Sequence, residues 1–308
     1  MNRPDIYLVI TIDTEADHSV DWKKSKPLTF KSITETIPAM LEPLFKEYGA
    51  IGTYLLTTEV LENDEAVSAM KTVKDCELGT HMHPEYIEPE KKYFDYPGTY
   101  SEEFSNNYGV EIEQKKLENI TNLFKEKLGY QPIVYRGGKF GFGDNTALSL
   151  AGLGYLIDTS VTPRVSWRAI GGPDFSEFPD QPYFIKDKNG SDCLLEVPVS
   201  VIFLNSLSKF LNKPTWLRPS FSNATDMKRL INKYISSYSF ADTIVLNMMF
   251  HSMEFCPMAS PYSKNQNDCE VLIRKVRSVI EYCKEIKVKF CRLSQIKTVY
   301  ESSLNNAS

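Results

Sequence analysis

Two pairs of residues in this chain have the types and spacing for metal chemistry: Asp13 with Glu15, and His81 with His83. Residues two apart in extended chain share a face, so each pair can converge on one point. Two imidazoles and a carboxylate are the usual protein set for a catalytic zinc that keeps one position open for water. Such an ion lowers the pKa of its water and polarises a carbonyl oxygen. A hydrolase of this kind also needs a second carboxylate as base and a separate histidine to protonate a leaving amine. The chain has a candidate for each role, with Arg136 and His251 each following an apolar run. An HxH or a DxE alone is more often a packing or loop feature than a ligand pair; joint placement after four separate runs gives the set its weight. His18, in the polar segment after the first run, is read as a loop residue.

The segments that must position these residues alternate in period. Residues 6–12 (IYLVITI) form a continuous apolar run ending at Asp13, the pattern of a parallel strand buried on both faces. Further strands are expected at 51–56, 77–81, 133–135, 155–158, 194–199, 243–250 and 288–293. Helical spacing runs over 30–48, interrupted by Pro38 and Pro43, and over 111–128 and 271–283. Asp144 and Ser222 are expected N-caps of two more helices. Strand and helix alternating from end to end predict a parallel α/β sheet or barrel. Both architectures place their sites at the carboxyl ends of strands, where Asp13, His81, Arg136 and His251 fall.

The 308 residues carry 35 basic against 40 acidic side chains, a net charge of -5 and a pI near 5.6. That balance offers no overall basic footprint for nucleic acid or anionic lipid. The apolar run at 6–12 is too short for a signal peptide or a membrane span, so a cytoplasmic protein without an integral membrane segment is expected. Six cysteines without a CxxC read as core thiols. Residues 1–301 read as one domain and 302–308 as a loose tail. Stretches 84–110, 163–192 and 205–219 fit neither period; rich in Tyr, Phe, Pro or Trp, they read as ordered, function-bearing loops.

Taken in order, the motifs resemble those of the polysaccharide deacetylases of the NodB type, carbohydrate esterase family four. TIDTEAD at 11–17 resembles the family's first motif, ELGTHMHPE at 77–85 its histidine motif and YRGGKFGFG at 135–143 its arginine motif. LIDTS at 156–160, EVPVS at 196–200 and MMFHSMEF at 248–255 follow in the family's order, covering almost the whole chain. The resemblance implies a distorted seven-stranded β/α barrel with Asp13 as general base, held ionised by Arg136. It also implies His251 as the acid for the departing amine, and the backbone N–H at Lys139 as an oxyanion donor. The family's metal-binding aspartate position is Thr14 here, which moves the ligand to Glu15 with Asp17 in reserve. His81 and His83 stand two apart where the family usually spaces its ligands four apart, as in a divergent branch. Asp158 takes the place of the aspartate that supports the late histidine.

The activity so implied is zinc-dependent removal of an N-acetyl group from an amino sugar in a glycan or a carrier-linked glycan precursor. A hydrolase of another non-peptide C–N bond, and a carbohydrate-binding protein that has lost catalysis, are the alternatives. Thr14 favours loss; Asp13, Arg136 and His251 favour activity. Tyr86, Tyr93, Phe94, Tyr96 and Tyr100 follow the histidine motif, and Trp167, Phe175, Phe178 and Tyr183 follow Asp158. Such aromatics either meet the apolar faces of sugar rings or pin loops to the barrel, and Tyr86 and Trp167 are the expected substrate contacts. Lys91, Lys92, Lys209, Lys213 and Arg218 are expected as solvated charges that could meet a phosphorylated carrier.

Overall fold

The computed structural model describes residues 4–92 and 100–307. In its first half, β1 (Asp5–Thr14) is followed by a π-helical segment, Ser32–Leu41, that continues as α1 (Glu42–Tyr48). Then come β2 (Gly52–Leu56), α2 (Thr58–Leu61), α3 (Asp64–Thr72), β3 (Glu77–Met82), α4 (Val110–Leu128), β4 (Val134–Gly137) and α5 (Asp144–Gly152). The second half holds β5 (Ile157–Asp158), β6 (Tyr183–Lys186), β7 (Asp192–Glu196), β8 (Val201–Ile202), α6 (Ser206–Phe210) and β9 (Thr215–Trp216). It ends with α7 (Ala224–Ser237), β10 (Thr243–His251), α8 (Gln266–Glu285), β11 (Lys289–Phe290) and α9 (Gln295–Ala307).

Nine strands form one sheet in the order β10-β1-β2-β3-β4-β5-β7-β6, with β11 also paired to β1. The seven from β10 to β7 in this order are parallel, and β6 is an antiparallel edge. They curl into the distorted α/β barrel expected from the sequence. Among the described residues no ladder joins β7 to β10; polar groups bridge that gap instead. Ser200 N–H donates to Asn247 O (3.1 Å) and Asn247 N–H to Ser200 Oγ (2.8 Å). Gln181 exchanges two bonds with the Val245 backbone at 3.0 and 2.9 Å.

Alternation along the strands divides the apolar residues between two faces. Ile6, Leu8, Ile10 and Ile12 of β1 pack outward with residues of α1, α4, α7 and α8 in the main core. Val9, Leu55, Val134, Ile157, Leu195 and Val245 point inward and form a separate plug, closed by Leu293 and Ile296. The plug requires Gly79, where a Cβ would lie 2.4 Å from Val134 Cγ2 and 2.9 Å from Leu55 Cδ2.

Several local expectations shift. Pro38 lies within the π-helical segment without ending it, and Pro43 sits at the second position of α1, where the π-helical spacing gives way to α-helical. The caps lie one residue from their expected places: Gly143 precedes α5, and Asn223 Oδ1 accepts the Asp226 N–H at 2.8 Å at the start of α7. Region 163–192 contains β6, region 205–219 contains α6 and β9, and residues 302–307 continue α9 where a loose tail was expected. Elements of two to five residues are too short to show a period. Tyr93, Phe94 and Tyr96 lie outside the described residues. Among those described, no helix is long and apolar enough to cross a membrane, and all six cysteines are free.

On the outward face the register aligns Tyr135, Asp158, Glu196 and Tyr183 in one row across β4, β5, β7 and β6. Asp158 accepts from Ser160 N–H (2.8 Å) and Ser160 Oγ (2.7 Å), and Glu196 Oε1 accepts the Val161 N–H at 3.0 Å. Burial, and then the neighbouring Asp158 carboxylate, push the Glu196 carboxyl well above its ordinary value. The native state therefore holds a proton that the unfolded chain releases, and stability falls as pH rises above the usual carboxylate range, by at most about 1.4 kcal/mol per pH unit. Glu196→Gln carries no such proton, so its melting temperature should decline less than the wild type's between about pH 5 and pH 8. Thermal melts across that range check this; parallel declines would show that the pair does not hold the proton.

Candidate metal centre

Parallel register brings the carboxyl ends of the strands level. Asp13 lies opposite His251, and His81 lies opposite Arg136. Alternation continues past the strand ends, so Glu15 follows Asp13 and His83 follows His81 on the inward face. Asp13, Glu15, His81, His83 and His251 line one cavity of about 300 Å³, near the lower end of the range for small-molecule sites.

Glu15, His81 and His83 each offer a ligand atom within 4.8 Å of the others, and all three are buried. Glu15 Oε1 lies 3.4 Å from His81 Nε2 and 3.6 Å from His83 Nε2. Zinc bonds of 2.0–2.2 Å in a tetrahedron place ligand atoms roughly 3.3–3.6 Å apart, so these spacings suit that ion. The far ring nitrogens are engaged: His81 Nδ1 donates to Arg136 O (3.0 Å) and His83 Nδ1 lies 3.3 Å from Glu85 Oε1. Both Nε2 atoms are thereby left toward the centre, the outer support typical of metal-binding histidines. Burial alone would lower the His83 imidazole, but the Glu15 and Glu85 carboxylates outweigh it and raise it to about 10. Burial would likewise raise Glu15, yet His83 and His81 hold it well below its ordinary value. A divalent cation would take over the charge compensation that these protons supply.

Asp17, the reserve ligand, is engaged elsewhere. Its carboxylate accepts the backbone N–H groups of Lys31 (2.7 Å) and Ser32 (3.0 Å) and anchors the start of the π-helical segment.

Gly138 sits directly against the ligand set, where a Cβ would lie 2.8 Å from Cγ and Nδ1 of His83. The next two residues, Lys139 and Phe140, hold positive φ of 50° and 62°, sparsely populated for side chains with a Cβ. Lys139, Phe140, Trp167 and Tyr86 all line the cavity. Trp167 stacks on Phe140 at 5.6 Å between ring centroids, and its Nε1 donates to Thr162 Oγ1 at 2.9 Å. Tyr86 lies 5.9 Å from His83, with Lys24 Nζ over its ring at 3.7 Å. Of the other loop aromatics, Phe175 and Phe178 pack on each other and Tyr183 lies in β6; none of the three lines the cavity.

Arg136 donates from Nη1 to Asp13 Oδ1 at 2.6 Å, and both side chains are buried. Burial would raise the Asp13 carboxyl; Arg136, then His81 and His251, hold it below its ordinary value. Its free oxygen, Oδ2, faces His81 Nε2 at 3.8 Å and His251 Nε2 at 3.7 Å. The expected support of His251 by Asp158 does not occur. Asp158 belongs to the outward row and is bound to Ser160 on the far side of the sheet. Glu254 takes that place, with Oε1 2.9 Å from His251 Nδ1. Its ionised oxygen is an acceptor, which puts the proton on Nδ1. Arg218 donates to the same Glu254 oxygen at 2.6 Å and, with His251, keeps the carboxyl below its ordinary value against burial. Arg218, expected on a solvated face, is therefore a buried wall of the cavity.

His18, expected to be an ordinary loop residue, also lines the cavity. Its Nδ1 donates to Ala16 O at 3.0 Å and its Nε2 faces Glu15 Oε2 at 3.9 Å. Burial pushes this imidazole down to about 4. Its spacing of three from Glu15 was the available signal. Glu254, three residues after His251, offered the same kind of hint.

No family model and no curated protein matches the chain. Solved structures do. A protein described as a glycoside hydrolase/deacetylase from Parabacteroides distasonis superposes with a TM-score of 0.67 at 12% identity, over 97% of this chain and 72% of that one. The PuuE allantoinase gives 0.59 at 14% identity, over 97% and 91%. A protein described as a polysaccharide deacetylase from Mycobacterium smegmatis gives 0.56 at 15% identity, over 98% and 92%. At such identities the likeness is one of fold: the chain has the barrel of the polysaccharide deacetylases.

Proposed function

We propose that this protein is a metal-dependent hydrolase that removes an N-acetyl group from an amino sugar in a glycan or a carrier-linked glycan precursor. The observation that carries this is the convergence on one cavity of a Glu-His-His donor set, an aspartate held by a buried arginine, and a histidine backed by a glutamate. Glu15, His81 and His83 would hold zinc, which supplies an activated water and polarises the acetyl carbonyl. Asp13, kept ionised by Arg136, accepts the proton of the attacking water at Oδ2. His251, with Nδ1–H held by Glu254, delivers a proton from Nε2 to the departing amine. The backbone N–H at Lys139 assists the developing oxyanion, and Trp167 and Tyr86 offer ring faces to the sugar. The names of two structures with this barrel support deacetylation. The likeness to an allantoinase favours a second reading, hydrolysis of another non-peptide C–N bond by the same residues.

Purified protein should contain about one zinc per chain by elemental analysis. Glu15→Ala, His81→Ala and His83→Ala should each release it. Asp17→Ala should retain it and instead lose about 1 kcal/mol of stability with the two N–H groups it satisfies. Gly138→Ala should weaken zinc in a competition titration while leaving the far-UV circular dichroism intact, because the added methyl presses on the His83 ring and on the Met82 carbonyl at the end of the same strand. Wild-type protein that neither contains nor rebinds a divalent ion would overturn the metal assignment.

Acetate released from N-acetylated oligosaccharides and carrier-linked N-acetyl sugars measures the chemistry. Asp13→Asn should lower it by about 10²-fold or more, the range that general bases contribute. Glu254→Gln should slow amides more than activated esters, since only the amine leaving group needs a strong acid. Zinc-loaded protein that yields no acetate from any N-acetyl sugar but cleaves a non-sugar amide or imide would select the second reading.

A further inference from the structure

Strands β8 and β9 pair antiparallel, and the chain between them forms a hairpin tip built on α6. Leu207, Phe210 and Leu211 on this tip are 65%, 85% and 49% exposed. Their i, i+3, i+4 spacing places three large apolar side chains on one helix face. Lys209 and Lys213 flank them. From 197 to 225 the sequence contains no acidic residue; Arg218 is buried against Glu254, which leaves Lys209 and Lys213 as the exposed cations of this stretch, in a chain whose net charge is -5. Crevices between the tip and α7 add Lys233 to the same side, with Glu177 the one acid among their lining residues; Arg164 and Arg229, which also line them, are paired with Asp180 at 3.0 Å and Asp226 at 3.1 Å. The charge of this region thus opposes that of the molecule as a whole.

We propose that the β8–β9 hairpin tip docks the protein onto the surface of an anionic lipid bilayer. Leu207, Phe210 and Leu211 would enter the boundary between headgroups and acyl chains, while Lys209 and Lys213 extend to the phosphates. Because the remainder of the chain is acidic, an anionic surface repels the other faces and orients the molecule with the tip toward it. A protein partner fits less well. Three side chains on a single helical turn fall far short of the roughly 800 Å² per side that a specific interface buries. A second copy docked tip to tip would bring like charges together. The base of the hairpin reaches the metal cavity: Trp216 on β9 packs against Phe140, Trp167 and Phe221, with centroids 6.0, 6.4 and 5.5 Å away. Docking would hold that cavity wall close to the membrane, and is independent of which bond the cavity hydrolyses.

Co-sedimentation of the full chain with vesicles tests this. Vesicles of mixed phosphatidylglycerol and phosphatidylcholine should bind at least about tenfold more strongly than phosphatidylcholine alone, with the difference shrinking at high salt. Leu207→Ser combined with Phe210→Ser should abolish binding. Lys209→Glu and Lys213→Glu should each weaken it by about fivefold or more. These side chains are solvent-exposed, and unchanged circular dichroism and zinc content would show the variants folded. Phe210→Trp gives a second readout, a blue shift of its emission on adding anionic vesicles. Failure of the wild type to sediment with anionic vesicles, or unchanged binding by the variants, would overturn the proposal. So would a concentration-dependent dimer abolished by the same substitutions, which would assign the tip to a second copy.

Discussion

A buried guanidinium must find partners for its charge and its N–H groups, and Arg136, with none of its surface exposed, organises the barrel interior around that demand. Nη1 reaches Asp13, Nη2 reaches Thr11 Oγ1 at 2.7 Å, and Nε reaches Thr159 O at 2.9 Å. The hydroxyls pass the bonds on. Thr11 Oγ1 donates to Asn247 Oδ1 (2.8 Å), Asn247 Nδ2 donates to Thr159 Oγ1 (2.7 Å), and Thr159 Oγ1 donates to Val197 O (2.7 Å). One satisfied polar layer thus ties β1, β4 and β10 to the segments leaving β5 and β7. It spans the gap that the backbone ladder leaves open. A partly satisfied layer would be worse than an apolar one, so its members depend on one another.

The layer also separates two environments. Below it the apolar plug keeps water out; above it Asp13, Glu15 and four imidazoles share one cavity. Arg136 serves both, since the bond that satisfies its charge also holds the Asp13 carboxylate ionised and leaves Oδ2 toward the cavity. His81 and His83, the proposed ligands, are fixed in the same economical way. His81 is oriented by the Arg136 carbonyl and His83 by Glu85, while Gly138 allows the neighbouring turn to pack directly against the His83 ring. A donor set on strand ends with both rings held at Nδ1 needs little rearrangement to receive an ion.

At the opposite wall the surroundings of His251, the proposed acid, are assembled from less regular parts. His251 ends β10, but its orientation comes from Glu254 in the following turn and from Arg218 in the segment after β9. That segment leaves the hairpin whose tip is apolar and basic. The same stretch of chain therefore joins the support of His251 at one end to the basic, apolar tip at the other.

The parallel α/β class, the strands β1–β5, β7, β10 and β11, and the candidate set of Asp13, Glu15, His81, His83, Arg136 and His251 were legible in the linear chain, whereas β6, β8 and β9 were not. Alternation puts residues two apart on one face, and a parallel sheet puts all carboxyl ends at one rim, so local periods sufficed. Asp158 shows where they fail. It stands at a strand end like the others, but β5 has only two residues, too few for an alternation that would reveal its outward direction. Asp17 is on the same face as Asp13 and Glu15 by spacing, and only the return of residues 31 and 32 onto its carboxylate takes it out of the ligand set. Glu254, Arg218 and His18 lie in turns and loops, where no period exists to read. By itself the sequence determined the fold class and the inventory of donors. Which donors meet, and which acid backs which histidine, was decided only in three dimensions, because those meetings depend on inter-strand register and loop returns between residues far apart in the chain.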